Sequence, residues 1–80
     1  MPKIKVFVGE HCPSCQPVKD FVKSGKLKGE IEIIDVETEE GFPYIEKMNL
    51  EIIPSVYADD KKCQIEYDEK GENVIDIICP

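Results

Sequence analysis

The sequence predicts an α/β domain in which a central four-stranded mixed sheet is flanked by helices, in the order β-α-β-α-β-β-(α). Three observations carry this expectation. Apolar residues alternate near the start of the chain, they recur at helical spacing just after it, and a β-branched run follows the helix. A strand, a crossover helix and a second strand make a parallel unit, because antiparallel pairing needs no intervening helix.

Each element has a local reason. In Lys3 to Val8, Ile4, Val6 and Val8 alternate to one side and Phe7 adds apolar bulk, which reads as a buried strand. Gly9 to His11 reads as a turn. From Pro13 onward Val18, Phe21 and Val22 form one face, with Lys19, Asp20 and Lys23 outward, and the Gly25–Gly29 region stops the helix. Ile31, Ile33, Ile34 and Val36 suit a central parallel strand over 30–36. Thr38 is placed to cap a second helix with Phe42, Ile45 and Met48 inward and Asn49 as a left-handed C-cap, although Gly41 and Pro43 make its first turn irregular.

After Ile52, Ile53 and Pro54, a third strand is expected over Ser55 to Ala58 and a turn over Asp59 to Lys62. A fourth strand over Cys63 to Tyr67 completes a hairpin. The tail carries Val74, Ile75, Ile77 and Ile78, which fit one helical face; a short terminal helix is the favoured reading, with a strand after the Gly71 turn as the alternative. No repeat or linker divides the chain, so residues 1–80 are read as one domain.

Bulk properties narrow the function. Seventeen acidic against ten basic side chains give a formal charge of −7, which disfavours nucleic acid and anionic membranes and favours basic or neutral partners. Met1 to Val8 lacks the uninterrupted apolar stretch of a signal peptide, and no segment is long enough to span a bilayer. The expectation is a cytoplasmic monomer. In that compartment four cysteines point to catalysis or metal binding before a disulfide scaffold.

The informative spacing is Cys12-Pro13-Ser14-Cys15 at the junction of strand and helix. Two intervening residues on a first helical turn bring two sulfurs into bonding range. Cys12, at the helix entry, meets unpaired N–H groups and the positive end of the dipole, which favours its thiolate. Pro13 suits the first helical position, and Ser14 adds a small polar group near the sulfurs. Cys15, one turn in, keeps its proton until needed. Cys12 is therefore the candidate nucleophile and Cys15 the candidate resolving thiol.

Other residues compete for roles. A zinc site built from Cys12 and Cys15 with Cys63 and Cys79, or with His11, is the alternative, but Cys63 and Cys79 form no second close-spaced knuckle. His11 would stabilise the Cys12 thiolate when protonated, against the plainer reading of a solvated loop histidine. Cys63 and Cys79 read first as buried thiols, with a second disulfide between them as the alternative. Tyr44, Phe42 and Tyr57 read as core or rim packing.

From Lys3 through Tyr57 the chain resembles the thioredoxin superfamily: strand, Cys-x-x-Cys opening a helix, strand, helix, then Ile53-Pro54-Ser55-Val56 leading into a strand. The Cys-Pro-x-Cys form, the short first strand and the absence of tryptophan make it more similar to glutaredoxins than to full-length thioredoxins. The resemblance implies that Ile53–Pro54 is cis, that Pro54 packs by the disulfide, and that the Ile53 backbone pairs with an extended substrate. It implies a thiol–disulfide oxidoreductase with no tightly bound cofactor. Glutaredoxins carry a lysine where this chain has Gly9 and a threonine where it has Ile52, and their glutathione-contacting Gly-Gly turn is replaced by Glu66-Tyr67-Asp68. These departures speak against glutathione and for protein disulfides as clients, with an upstream reductase as the second partner. A non-catalytic metal-binding or redox-sensing module is the alternative.

Overall fold

The computed structural model describes residues 3–80; Met1 and Pro2, the first residues of the expected amino-terminal strand segment, lie outside them. The elements are β1 (Lys3–Val8), a 3-10 turn (Pro13–Cys15), α1 (Gln16–Lys23), β2 (Glu30–Asp35), α2 (Pro43–Lys47), β3 (Ser55–Ala58), β4 (Lys61–Lys62), β5 (Gln64–Tyr67) and β6 (Val74–Ile78). Four strands form a mixed sheet in the order β2-β1-β3-β4, and β5 and β6 form a separate two-stranded sheet. β1 and β2 are parallel with Val8 opposite Asp35, and β3 runs antiparallel to β1.

β1 is the central strand. Val6 and Phe7 are fully buried and Val8 is 1% exposed. On one face Ile4, Val6 and Val8 meet Val18, Phe21 and Val22 of α1, with Val56, Ala58, Cys15, Cys63 and Ile77 in the same cluster. Each fully buried aliphatic or aromatic side chain of this kind contributes roughly 1.5–3 kcal/mol. On the other face Phe7 packs with Ile34 and Val36 under Tyr44, Met48, Leu50 and Tyr57. The Tyr44 and Tyr57 rings lie 5.4 and 5.9 Å from that of Phe7, in tilted and edge-on arrangements.

Several expectations are corrected. β2 lies at the sheet edge, not its centre: Ile34 is buried but Ile33 is 41% exposed. A β-branched run reports a fit to pleated structure, not the number of neighbouring strands. The second helix is shorter than its pattern, because Thr38 caps a turn before it. The Thr38 hydroxyl donates to the Asp35 carbonyl and accepts the Gly41 N–H, and its carbonyl accepts the Phe42 N–H. The helix proper starts at Pro43, and Phe42 is 65% exposed, not inward. Asn49 does adopt φ 54°, and the bonds Leu50 N–H to Ile45 O and Asn49 N–H to Glu46 O close the left-handed ending.

The expected fourth strand divides at Cys63. The turn is confined to Asp59 and Asp60, so Lys61 and Lys62 already pair with Ala58 and Tyr57. Cys63 donates its N–H to the Val56 carbonyl at 2.8 Å, and from Gln64 the chain pairs with β6 instead. The tail is accordingly a strand and not a helix. Its β-branched residues favour extension, and the Asp68–Asn73 loop, with Gly71 at φ 69°, returns the chain antiparallel. Buried Ile77 joins this hairpin to the α1 face of the core.

Candidate active site

The site grows from the carboxyl ends of the two parallel strands. β1 ends at Val8 and β2 at Asp35, which face one another, so the loops leaving them run side by side. The Val36 N–H still reaches the Val8 carbonyl at 2.9 Å, which extends the ladder one step into those loops.

The first loop delivers Cys12. Its backbone is extended (φ −122°, ψ 94°), and its carbonyl accepts the Cys15 N–H at 3.0 Å, closing the 3-10 turn over Pro13, Ser14 and Cys15. The cysteines thus stand on a tight turn that leads into α1, one step before the α-helix itself. Cys12 and Cys15 form a disulfide with Cα atoms 5.3 Å apart. The two sulfurs have unlike surroundings: Cys12 is half-buried, whereas Cys15 is fully buried within the α1 cluster. Ser14 Oγ lies 3.4 Å from Cys12 Sγ, where the small polar residue was expected.

The segment before β3 approaches from the side. Ile53–Pro54 is cis, as the resemblance implies. Ile53 packs against both core clusters, and its Cδ1 and the Cys12 Cβ both lie beside Gly9. Among the described residues neither the N–H nor the carbonyl of Ile53 has a hydrogen-bond partner. Ser55 donates its hydroxyl to the Ile52 carbonyl and so shapes this loop, leaving Ile52 62% exposed. Pro54 and Ile52 line a shallow, mainly apolar cavity of about 270 Å³ with Lys62, Cys63, Ile65 and Tyr67.

Sequence reasoning missed Glu37, in the loop after β2. Its Oε2 accepts the His11 main-chain N–H at 2.8 Å and its Oε1 lies 3.1 Å from His11 Nδ1. Asp35 Oδ1 in turn accepts the Glu37 N–H at 2.8 Å. The Glu37 carboxylate holds the His11 imidazole above its ordinary pKa, first by the side-chain hydrogen bond and then by charge, with Glu10 adding to it. Glu37 itself is held below the usual carboxylate range, chiefly by the His11 main-chain N–H and then by its ring. The His11 side chain is solvated, as the plain reading has it, with 83% of it exposed, but it is tied to Glu37. No local signal marks Glu37, because the space beside Gly9 that its carboxylate enters exists only once β1 and β2 are paired.

Cys63 and Cys79 form a second disulfide, with Cα atoms 4.3 Å apart at the open end of the β5–β6 hairpin. The expectation of buried free thiols is overturned, because Gln64 pairs with Ile78 and so brings the two flanking cysteines opposite each other. The zinc alternative joins Cys12 and Cys15 to Cys63 and Cys79, or to His11, around one ion. Among the described residues no group of three or more His, Cys, Asp or Glu side chains is arranged to hold a metal ion. Among those residues, too, no helix is long and apolar enough to cross a membrane.

No protein-family model, curated protein or solved structure matches the chain.

Proposed function

We propose that this protein is a thiol–disulfide oxidoreductase that exchanges its Cys12–Cys15 pair with disulfides of protein clients, as a cytoplasmic electron donor on a thioredoxin/glutaredoxin-like frame. One observation carries the reading: a disulfide at the entry to a helix joins a solvent-reachable sulfur, Cys12, to a fully buried one, Cys15. Exchange needs this asymmetry, because the attacking thiolate must be reached and the resolving thiol must not compete for the client.

In the reduced protein the Cys12 thiolate attacks a client disulfide, one Cys12–client bond forms and the client S–S bond breaks. Cys15 then attacks Cys12 Sγ, restores the internal disulfide and releases the second client sulfur. Two electrons and two protons pass to the client. The frame is supported by the strand order β2-β1-β3-β4, by the cysteines following β1 and by Pro54 preceding β3. The unpaired main chain of Ile53 beside exposed Ile52 suits an extended protein segment better than an anionic tripeptide.

The test is the equilibrium reduction potential of the Cys12–Cys15 pair, with thiol labelling, in wild type and in Cys12→Ser, alongside reduction of insulin and of a glutathione mixed disulfide. A reversible couple near or below roughly −230 mV that is lost in the variant, with insulin reduced, supports the reading. A pair that does not cycle overturns it; activity only on the glutathione conjugate overturns the choice of client.

A further inference from the structure

Glu37 spends both carboxylate oxygens on the residue immediately before the nucleophile. One anchors the His11 main chain and the other orients its ring, at 2.8 and 3.1 Å. The anchor is itself fixed, by Asp35 from the end of β2, and Gly9 provides the space. His11 and Cys12 line the same open depression, of about 410 Å³, with Glu10, Pro13, Gln16 and Lys19. The ring itself stays 83% exposed, so what Glu37 supplies is orientation and not burial.

Building on the proposed exchange reaction, we infer that Glu37 is a positioning residue which holds the His11 imidazole beside Cys12, so that reduction of the disulfide places one proton on His11 instead of on the Cys12 sulfur. The reduced state is then Cys12 thiolate, His11 imidazolium and Cys15 thiol. On reaction with a client disulfide, the Cys12–client bond forms first and Cys15 resolves it. The proton of Cys15 and the proton of His11 leave with the two client sulfurs as thiols, His11 returns to the neutral form, and charge and atoms balance. With Nδ1 turned to Glu37, Nε2 is the atom left for proton exchange with solvent and the client.

The charges around His11 decide the sign. Glu37 from the β2–α2 loop, Glu10 from its own loop and Asp35 from the end of β2 all favour the imidazolium. Lys19 of α1, across the depression, opposes it. The Cys12 sulfur is the one group here whose charge changes with redox state, because it is neutral in the disulfide and negative as a thiolate. A thiolate beside the ring adds a further anion, so His11 must hold its proton to higher pH in the reduced protein. By linkage, the imidazolium lowers the Cys12 pKa by the same amount.

The experiment is NMR titration of the His11 ring in the full chain, oxidised and reduced, in wild type and Glu37→Gln, with the pH profile of Cys12 alkylation in wild type and His11→Gln. Glutamine keeps an acceptor for the His11 N–H, so the loop is retained while the charge is removed. The expected results are a higher His11 midpoint in reduced than in oxidised wild type and a fall of the oxidised midpoint in Glu37→Gln. In His11→Gln the alkylation profile moves to higher pH, with a rate at pH 7 about threefold lower. A His11 midpoint that is the same in both redox states overturns the inference even if the couple is reversible. A pair that will not cycle, seen in the same samples by thiol labelling, overturns the exchange reaction as well.

Discussion

Gly9 and Glu37 share one small volume: a methyl group on Gly9 would lie 2.8 Å from Glu37 Oε2, and as close to Ile53 Cδ1. Both are the ends of flexible side chains, so Gly9→Ala can fold by displacing them, at a cost of about 1 kcal/mol. The displaced carboxylate no longer reaches His11. The variant should therefore show a His11 midpoint that falls toward the ordinary imidazole value, measured by NMR alongside a urea unfolding curve.

Gly41→Ala should behave differently. Its added methyl group would overlap the Asp35 carbonyl oxygen and stand 2.6 Å from the carbonyl carbon, and main-chain atoms at a strand end cannot swing aside. A loss of about 3 kcal/mol is expected, read as a lower urea midpoint at unchanged slope.

The two disulfides should reduce in order. Each bridge joins a half-buried cysteine to a buried one, Cys12 to Cys15 and Cys79 to Cys63, but only Cys12 stands at the entry to α1, where the helix dipole favours a departing thiolate. Stepwise addition of reductant to the folded protein, followed by alkylation and mass measurement, should give a species labelled at Cys12 and Cys15 before any label enters Cys63 or Cys79. Simultaneous labelling of all four would contradict this order.

Removing the second disulfide should cost stability without touching the exchange site. The bridged cysteines are 16 positions apart, and closing a loop of that length in the unfolded chain is worth about 3 kcal/mol. Cys63→Ala with Cys79→Ala should lose about that much in urea, while the Cys12–Cys15 potential stays within error of wild type.

Asp68 gives the hairpin loop a dependence on acid. Its carboxylate accepts the Asn73 side-chain amide and then the Glu72 and Asn73 main-chain N–H groups, which in that order hold its pKa below the usual range. A lowered folded pKa means that this contribution is present above the unfolded value and is lost as pH falls through the folded one. Amide shifts of Glu72 and Asn73 should stay constant at neutral pH and move only below the ordinary carboxylate range; Asp68→Asn should remove that transition.

Much of this architecture can be read from local pattern. Val18, Phe21 and Val22 are buried where their spacing predicts, and the cysteine turn and the left-handed Asn49 occupy their expected places; the cis bond at Pro54 is legible only through the family resemblance, since an X–Pro bond is by default trans. What escapes the sequence depends on partners distant along the chain. Glu37 acts on a residue 26 positions earlier, and only the parallel register of β1 and β2 brings the two together. Phe42 fits an inward helical face, yet Thr38 spends its hydrogen bonds on the preceding turn and leaves Phe42 outside the helix. At the tail, apolar spacing fits helix and strand alike, and the pairing between Cys63 and Cys79 decides for the strand.

The terminal hairpin is locked at both ends, by the Cys63–Cys79 bridge where it opens and by the Asp68 bonds where it turns. A slip of one residue between β5 and β6 would reverse one strand against the other, turning Ile65 or Ile77 out to water and bringing Glu66 or Asp76 toward the core. Neither lock tolerates that slip, because the bridge joins one fixed pair of positions and the Asp68 bonds reach only their own loop. The reading frame of the hairpin is therefore set by bonds within the hairpin itself, independently of its contact with α1 through Ile77. Irregularity is left one outlet, the bulge at Glu66 and Tyr67, on the side of the hairpin away from the bridge.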